Sequence, residues 1–123
     1  MWDWDMPSGR VFWSDEHYTL EGYEPGEVMP CYEAWAARVH PDDRVAAAQA
    51  VLDARDGDGV YRSSFRSLHP GGRIVWLRAR GRFFYDAENR PVRMIGIMQD
   101  VTDEMIGQES QAILDGPVKL GAL

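Results

Sequence analysis

The sequence predicts an α+β fold: an antiparallel sheet with short helices packed on one of its faces. Three observations predict it. Strand-like and helix-like segments are segregated along the chain, with two strands, then several short helices, then three long strands and an exit helix. The last strand-like stretch, from Arg93 to Thr102, is apolar at both parities: Met94, Gly96 and Met98 on one, Ile95, Ile97 and Val101 on the other. A strand of that kind is expected mid-sheet and covered on both sides. Finally, this strand meets a helix start with almost no loop between them. Thr102 can cap the helix, and Asp103 and Glu104 suit the dipole of its first turn.

In order along the chain, Trp2 and Trp4 alternate with Asp3 and Asp5, which is strand chemistry. Met6-Pro7-Ser8-Gly9 is a turn, and Arg10-Val11-Phe12-Trp13 returns as the second arm of a hairpin. Ser14 or Asp15 caps a short helix through Leu20 that Gly22 stops. Glu24-Pro25-Gly26-Glu27 is a bend or a helical turn, and Tyr32 to Arg38 is a second short helix presenting Trp35. Val39-His40-Pro41-Asp42-Asp43-Arg44 starts a third, with Pro41 at its first position and two carboxylates in its first turn. That helix runs through Leu52 and ends at Asp56-Gly57-Asp58-Gly59.

Strands Val60–Leu68 and Ile74–Asp86 follow, joined by His69-Pro70-Gly71-Gly72. In the second, Val75, Leu77, Ala79, Gly81 and Phe83 form the better core face, opposite Trp76, Arg78, Arg80 and Arg82. A turn at Asp86-Ala87-Glu88-Asn89 leads into the last strand. Gly96 within it marks a close approach by a ligand or another element. The exit helix from Asp103 is broken at Gly116-Pro117; at about 12 residues it is too short to stand alone, so a longer or paired helix is expected in the intact protein.

With 123 residues, 45% of them hydrophobic and 27% charged, the chain is one globular domain able to bury a core, not a disordered segment or a repeat array. A net charge of −7 repels a phosphate backbone, so nucleic acid is not an expected partner. No apolar run approaches a membrane span, and a cytoplasmic location is expected. The lone Cys31 makes no internal disulfide and fits a reducing compartment. The chain enters a strand at once, at Met1-Trp2-Asp3-Trp4-Asp5, as a segment of a longer protein would.

Catalytic signatures find no match: there is no nucleophile elbow, glycine-rich phosphate loop or His-Glu zinc helix. Asp100 is the one acid to weigh for an enzyme with a buried base, and a helix-junction role is the simpler account. Asp56-Gly57-Asp58-Gly59 glances at a calcium loop but continues with Val60 and lacks a closing Glu. No Cys/His cluster is spaced for zinc. His17, His40 and His69 read as a helix, a helix-cap and a turn histidine.

An ordered set of short motifs points to a family. Trp2-Asp3-Trp4-Asp5, Phe12-Trp13-Ser14, Glu21-Gly22-Tyr23, Val39-His40-Pro41-Asp42-Asp43-Arg44, Ser64-Phe65-Arg66, Val75-Trp76-Leu77, Gly96 and Asp100-Val101-Thr102 follow one another as in PAS domains of bacterial sensory proteins. The resemblance covers roughly residues 2–105. It implies a five-stranded antiparallel sheet of order 2-1-5-4-3, with the last strand central. It divides the chain into a sensory domain, 1–102, and an exit or linker helix and tail, 103–123. Asn89 stands where relatives usually have Gly in the final hairpin turn, and Asn tolerates positive φ.

The resemblance also implies a function: a non-catalytic sensory and interaction module that passes a small-ligand or partner signal to an effector through the exit helix. The effector is expected to be a histidine kinase or a diguanylate cyclase elsewhere in the parent chain. Asp100 and Thr102 match the family's relay motif at the junction. In relatives the Asp commonly pairs with a basic group, for which Arg66 and Arg44 are candidates here.

Trp35, Tyr61, Phe65, Phe83, Met94, Gly96 and Met98 are the candidate lining of a pocket for a small apolar ligand between sheet and helices. A filled core is the plainer reading of the same residues. Trp76, Ile95 and Ile97 project from the other face and are the candidate contacts of a homodimer. Flanking helices are a second route to it, and the stems of Arg78, Arg80 and Arg93 offer partial self-cover. No cofactor is expected. The alternative is a flavin or haem sensor, but Cys31 is followed by Tyr32-Glu33-Ala34-Trp35 rather than a flavin-adduct motif. Met98 stands where flavin relatives place Gln, and 45–55 offers no axial His.

Overall fold

The structure is a computed structural model, described here for residues 1–107. Its elements in order are β1 (Trp2–Asp5), β2 (Arg10–Trp13), α1 (Asp15–Leu20), α2 (Tyr32–Arg38), a 3-10 turn (Pro41–Asp43), α3 (Arg44–Asp56), β3 (Val60–Leu68), a second 3-10 turn (Pro70–Gly72), β4 (Ile74–Tyr85) and β5 (Pro91–Asp100). A final helix, α4, starts at 102 and is followed to 107. The five strands form one antiparallel sheet of order β2-β1-β5-β4-β3, the predicted topology, with β5 between β1 and β4. The predicted break of the exit helix at Gly116-Pro117 lies outside the described residues.

The local chemistry behaves as the residue types dictate. Ser14 caps α1, its hydroxyl oxygen accepting the His17 amide. Asn89 takes φ 63° in the last hairpin, the left-handed conformation anticipated for it. Small residues face inward from α3, where Ala47 and Ala54 are buried while Val45 is exposed, so the helix lies close against the sheet. The core is centred on β4 and its neighbours, with Leu77, Ala79 and Phe65 at most 1% exposed.

Two expectations are corrected. Among the described residues β5 is well covered on one side only: Met94 is buried, but Ile97 on the opposite parity is 59% exposed and Ile95 is only partly buried. Helices α1 and α3 pack against the sheet, and an antiparallel sheet tolerates an open second face better than a parallel one. The strand also ends at Asp100, two residues earlier than predicted, because Asp100 and Thr102 turn the chain.

Candidate functional site

β1 supplies Trp2, which registers opposite Gly96 of β5, and Gly96 in turn registers opposite Gly81 of β4. The Trp2 indole lies over both glycines. A Cβ built on Gly96 would collide with the Trp2 ring, and one on Gly81 would meet it at 2.8 Å. The close approach marked by Gly96 is therefore made by a neighbouring strand's side chain.

Around that indole a small, mostly apolar cavity of about 70 Å³ remains between the sheet and the helices. Trp35, Tyr61, Met94 and Met98 line it, four of the seven predicted pocket residues. Phe65 and Phe83 are buried in filled core, and Gly96 lies beneath Trp2, so these three do not line it. Eight further lining residues had not been singled out: Trp2, Trp4, Val11, Trp13, His17, Cys31, Tyr32 and Val51. The signal for the hairpin tryptophans was their strand alternation, which was read for structure alone. Cys31 also has a local role, since its Sγ caps α2 by accepting the Ala34 amide at 3.4 Å.

Within α1, His17 and Glu21 are both 1% exposed. The imidazole is enclosed by tryptophans, its centroid 4.7 Å from that of Trp13 and 6.0 Å from that of Trp2. His17 Nε2 stands 3.4 Å from Glu21 Oε2, an ion-pair distance without the alignment of a hydrogen bond. Among the described residues neither ring nitrogen and neither carboxylate oxygen has a hydrogen-bond partner. Burial pushes the Glu21 carboxyl above its ordinary range, against the pull of His17 and Arg38. Their spacing of four in a helix puts both on one face, a signal present in the sequence and passed over. The other two histidines act locally: His40 Nδ1 accepts the Asp42 amide, and His69 Nε2 lies 3.0 Å from the Leu20 carbonyl oxygen.

At the far end of β5 a single residue, Val101, separates strand from helix. Its amide donates to the Trp76 carbonyl. The Thr102 hydroxyl accepts the Trp76 amide at 3.0 Å and donates to Asp100 Oδ1 at 2.6 Å. Asp100 Oδ1 also accepts the Thr102 amide at 2.9 Å, so the cap expected of Thr102 falls to the aspartate. Burial raises the Asp100 carboxyl, but the two Thr102 hydrogen bonds, with Arg73 and His69 nearby, outweigh it and hold it below its ordinary value. The expected pairing with Arg66 or Arg44 is not what forms. The Arg66 guanidinium grips Asp43, and Arg44 donates to the Val39 and Ala37 carbonyls.

The outer face carries Trp76 and Ile95, both partly buried, and Ile97, joined by exposed Phe12, Ile74 and Phe84. Arg80 registers between Ile97 and Arg62, and Arg93 clasps Asp3 through two hydrogen bonds of 2.9 and 2.6 Å. Among the described residues no group of His, Cys, Asp and Glu is placed to hold a metal ion, and no helix is long and apolar enough to cross a membrane.

Comparison with known proteins places this geometry. Sensor protein FixL of Bradyrhizobium diazoefficiens is 30% identical over 104 residues, 84% of this chain and 20% of its own length. The non-motile and phage-resistance protein of Caulobacter vibrioides is 32% identical over 111 residues, 88% of this chain and 13% of its own. The chain thus spans a fifth or less of these two relatives. A sensory box histidine kinase/response regulator from Burkholderia thailandensis superposes with a TM-score of 0.76 at 27% identity, over 99% of this chain and 89% of that one. The PAS fold profile matches residues 10–98. With sheet order, helix placement, relatives and profile in agreement, the chain belongs to the PAS fold family of sensory domains.

Proposed function

We propose that this domain is a non-catalytic sensory and interaction module whose output runs through the β5–α4 junction. A small, largely apolar ligand or a partner alters the packing of Met98 against Gly96 and Trp2. The shift moves Asp100 and Thr102 and re-aims the exit helix toward an effector in the parent protein, a histidine kinase or a diguanylate cyclase. Such a relay requires the signal to favour one of two packings over the other. The outer sheet face, with Trp76, Ile95 and Ile97, meets a second copy, and the module works in the cytoplasm.

The observation that carries the reading is the Thr102 hydroxyl, which takes the amide of Trp76 and donates to Asp100, so that β4, β5 and α4 share one hydrogen-bonded joint. A joint of that kind transmits displacement instead of absorbing it in a loop. The effector relatives support the rest: besides the sensory kinase above, a probable diguanylate cyclase, DgcE of Escherichia coli, is 26% identical over 104 residues. The test is signal-dependent output of the full-length protein carrying Asp100→Ala or Thr102→Val. Loss or locking of output with an intact fold is expected, and wild-type output from both variants would end the proposal.

A further inference from the structure

The cavity is almost wholly apolar, yet one of its walls is an imidazole with no hydrogen-bond partner among the described residues. His17 is 1% exposed, and among the described residues its one charged neighbour within ion-pair reach is the equally buried Glu21. Two buried polar groups that face each other without an aligned hydrogen bond cost stability that a packed apolar pair would not. Glu21 is further penalised by its place at the C-terminal end of α1, where the helix dipole disfavours a negative charge. The arrangement makes physical sense if a third group completes it, and the space beside His17 is where that group fits.

We propose that the cavity takes a small ligand, one ring or a short chain in size, with an apolar body and a single hydroxyl group that hydrogen-bonds the His17 imidazole. This rests on the reading of the domain as a ligand sensor and adds the chemical class of the ligand. Trp2, Trp13, Trp35 and Tyr61 supply flat apolar walls for the body. Met94 and Met98 are the adaptable side chains that make room for it, and Met98 lies on the strand that leads to Asp100. Glu21 stands behind the imidazole, its carboxylate 3.4 Å from Nε2. The hydroxyl either donates to a neutral ring nitrogen or accepts from a protonated one, so the pairing survives a change of tautomer.

Phenol and toluene test the proposal, being near in size and differing by the hydroxyl. Each is titrated into the intact domain and followed by tryptophan fluorescence and by the ring nitrogen NMR signals of His17. A dry apolar cavity prefers toluene, because phenol loses its hydrogen bond to water on entry. A site with His17 as partner prefers phenol, by about fivefold for one hydrogen bond. Phenol is expected to bind more tightly and to shift the His17 ring signals. His17→Phe is expected to reverse the order. If toluene binds as well as phenol or better in the wild type, the His17 pairing is wrong while the cavity still stands as a ligand site. If neither binds, the ligand reading itself fails. The wild-type comparison and the NMR signals decide the matter even where His17→Phe does not fold.

Discussion

Asp43, at the root of α3, and Arg66, in β3, clasp one another. The carboxylate accepts the Arg66 backbone amide at 2.8 Å and its guanidinium at 3.0 and 2.7 Å. The same guanidinium lies 5.7 Å from the centre of the Trp76 ring, and the Trp76 amide is bound by Thr102. The clasp therefore joins the long helix to the strands that carry the Thr102 hydrogen-bonded joint. The sequence assigned Asp43 to the helix dipole; its larger task is tertiary.

Replacing Asp43 with Ala removes three charge-assisted hydrogen bonds from a partly exposed site, at an expected cost of about 1–2 kcal/mol in urea unfolding. Hydrogen bonds from Arg66 hold the Asp43 carboxyl below its ordinary 3.8. Its contribution is thus complete above pH 3.8 and lost as pH falls through the lower folded value. The acid limb of the stability curve should be shallower in the variant, and identical acid limbs would refute the assignment.

Glu21 has the opposite sign. Its carboxyl is raised from 4.5 by burial, so its stability contribution is present below pH 4.5 and lost as pH rises through the higher folded value. His17, Arg38, Tyr23 and Tyr61 are the titratable or charged groups coupled to it. Glu21→Gln should gain on the wild type as pH rises above 4.5, until the raised folded value is passed. A stability difference independent of pH would show that the carboxyl is not strained by its surroundings.

Gly96→Ala sets a methyl group against both the Trp2 ring and the Arg80 carbonyl oxygen, 2.5 Å from the built Cβ. Neither neighbour yields freely, since one is a large buried ring and the other is backbone. A loss of about 2–3 kcal/mol is expected. A neutral result would mean that Trp2 is not seated on the glycine pair.

Ile97, 59% exposed on the open sheet face, is the cheapest probe of self-association. Ile97→Glu should leave monomer stability within about 0.5 kcal/mol while abolishing a dimer seen by sedimentation or native mass spectrometry. A dimer that persists unchanged would move the contact to the flanking helices.

Much of this architecture was legible in the residues alone. They placed β3 at Val60–Leu68 and α2 at Tyr32–Arg38 to the residue, and a cap at Ser14 or Asp15 with the Gly22 stop bounded α1. Those signals are local, so a linear reading captures them. The central position of the last strand was expected from its two-sided apolar pattern and again from the family resemblance, and the order of strands agrees. Four pocket residues, Trp35, Tyr61, Met94 and Met98, were likewise within reach, because each is an inward position of an element the sequence defines.

The amino-acid sequence by itself determined the elements, their inward faces and the absence of a loop between β5 and the helix. Only the tertiary structure decided which distant groups meet: Trp2 over Gly96 and Gly81, Asp43 with Arg66, Thr102 with Trp76. It also decided that the second face of β5 lies open in the single chain. Periodicity says which way a side chain points, but not what stands there. That depends on strand register and helix docking, which are set by the packing of the whole core.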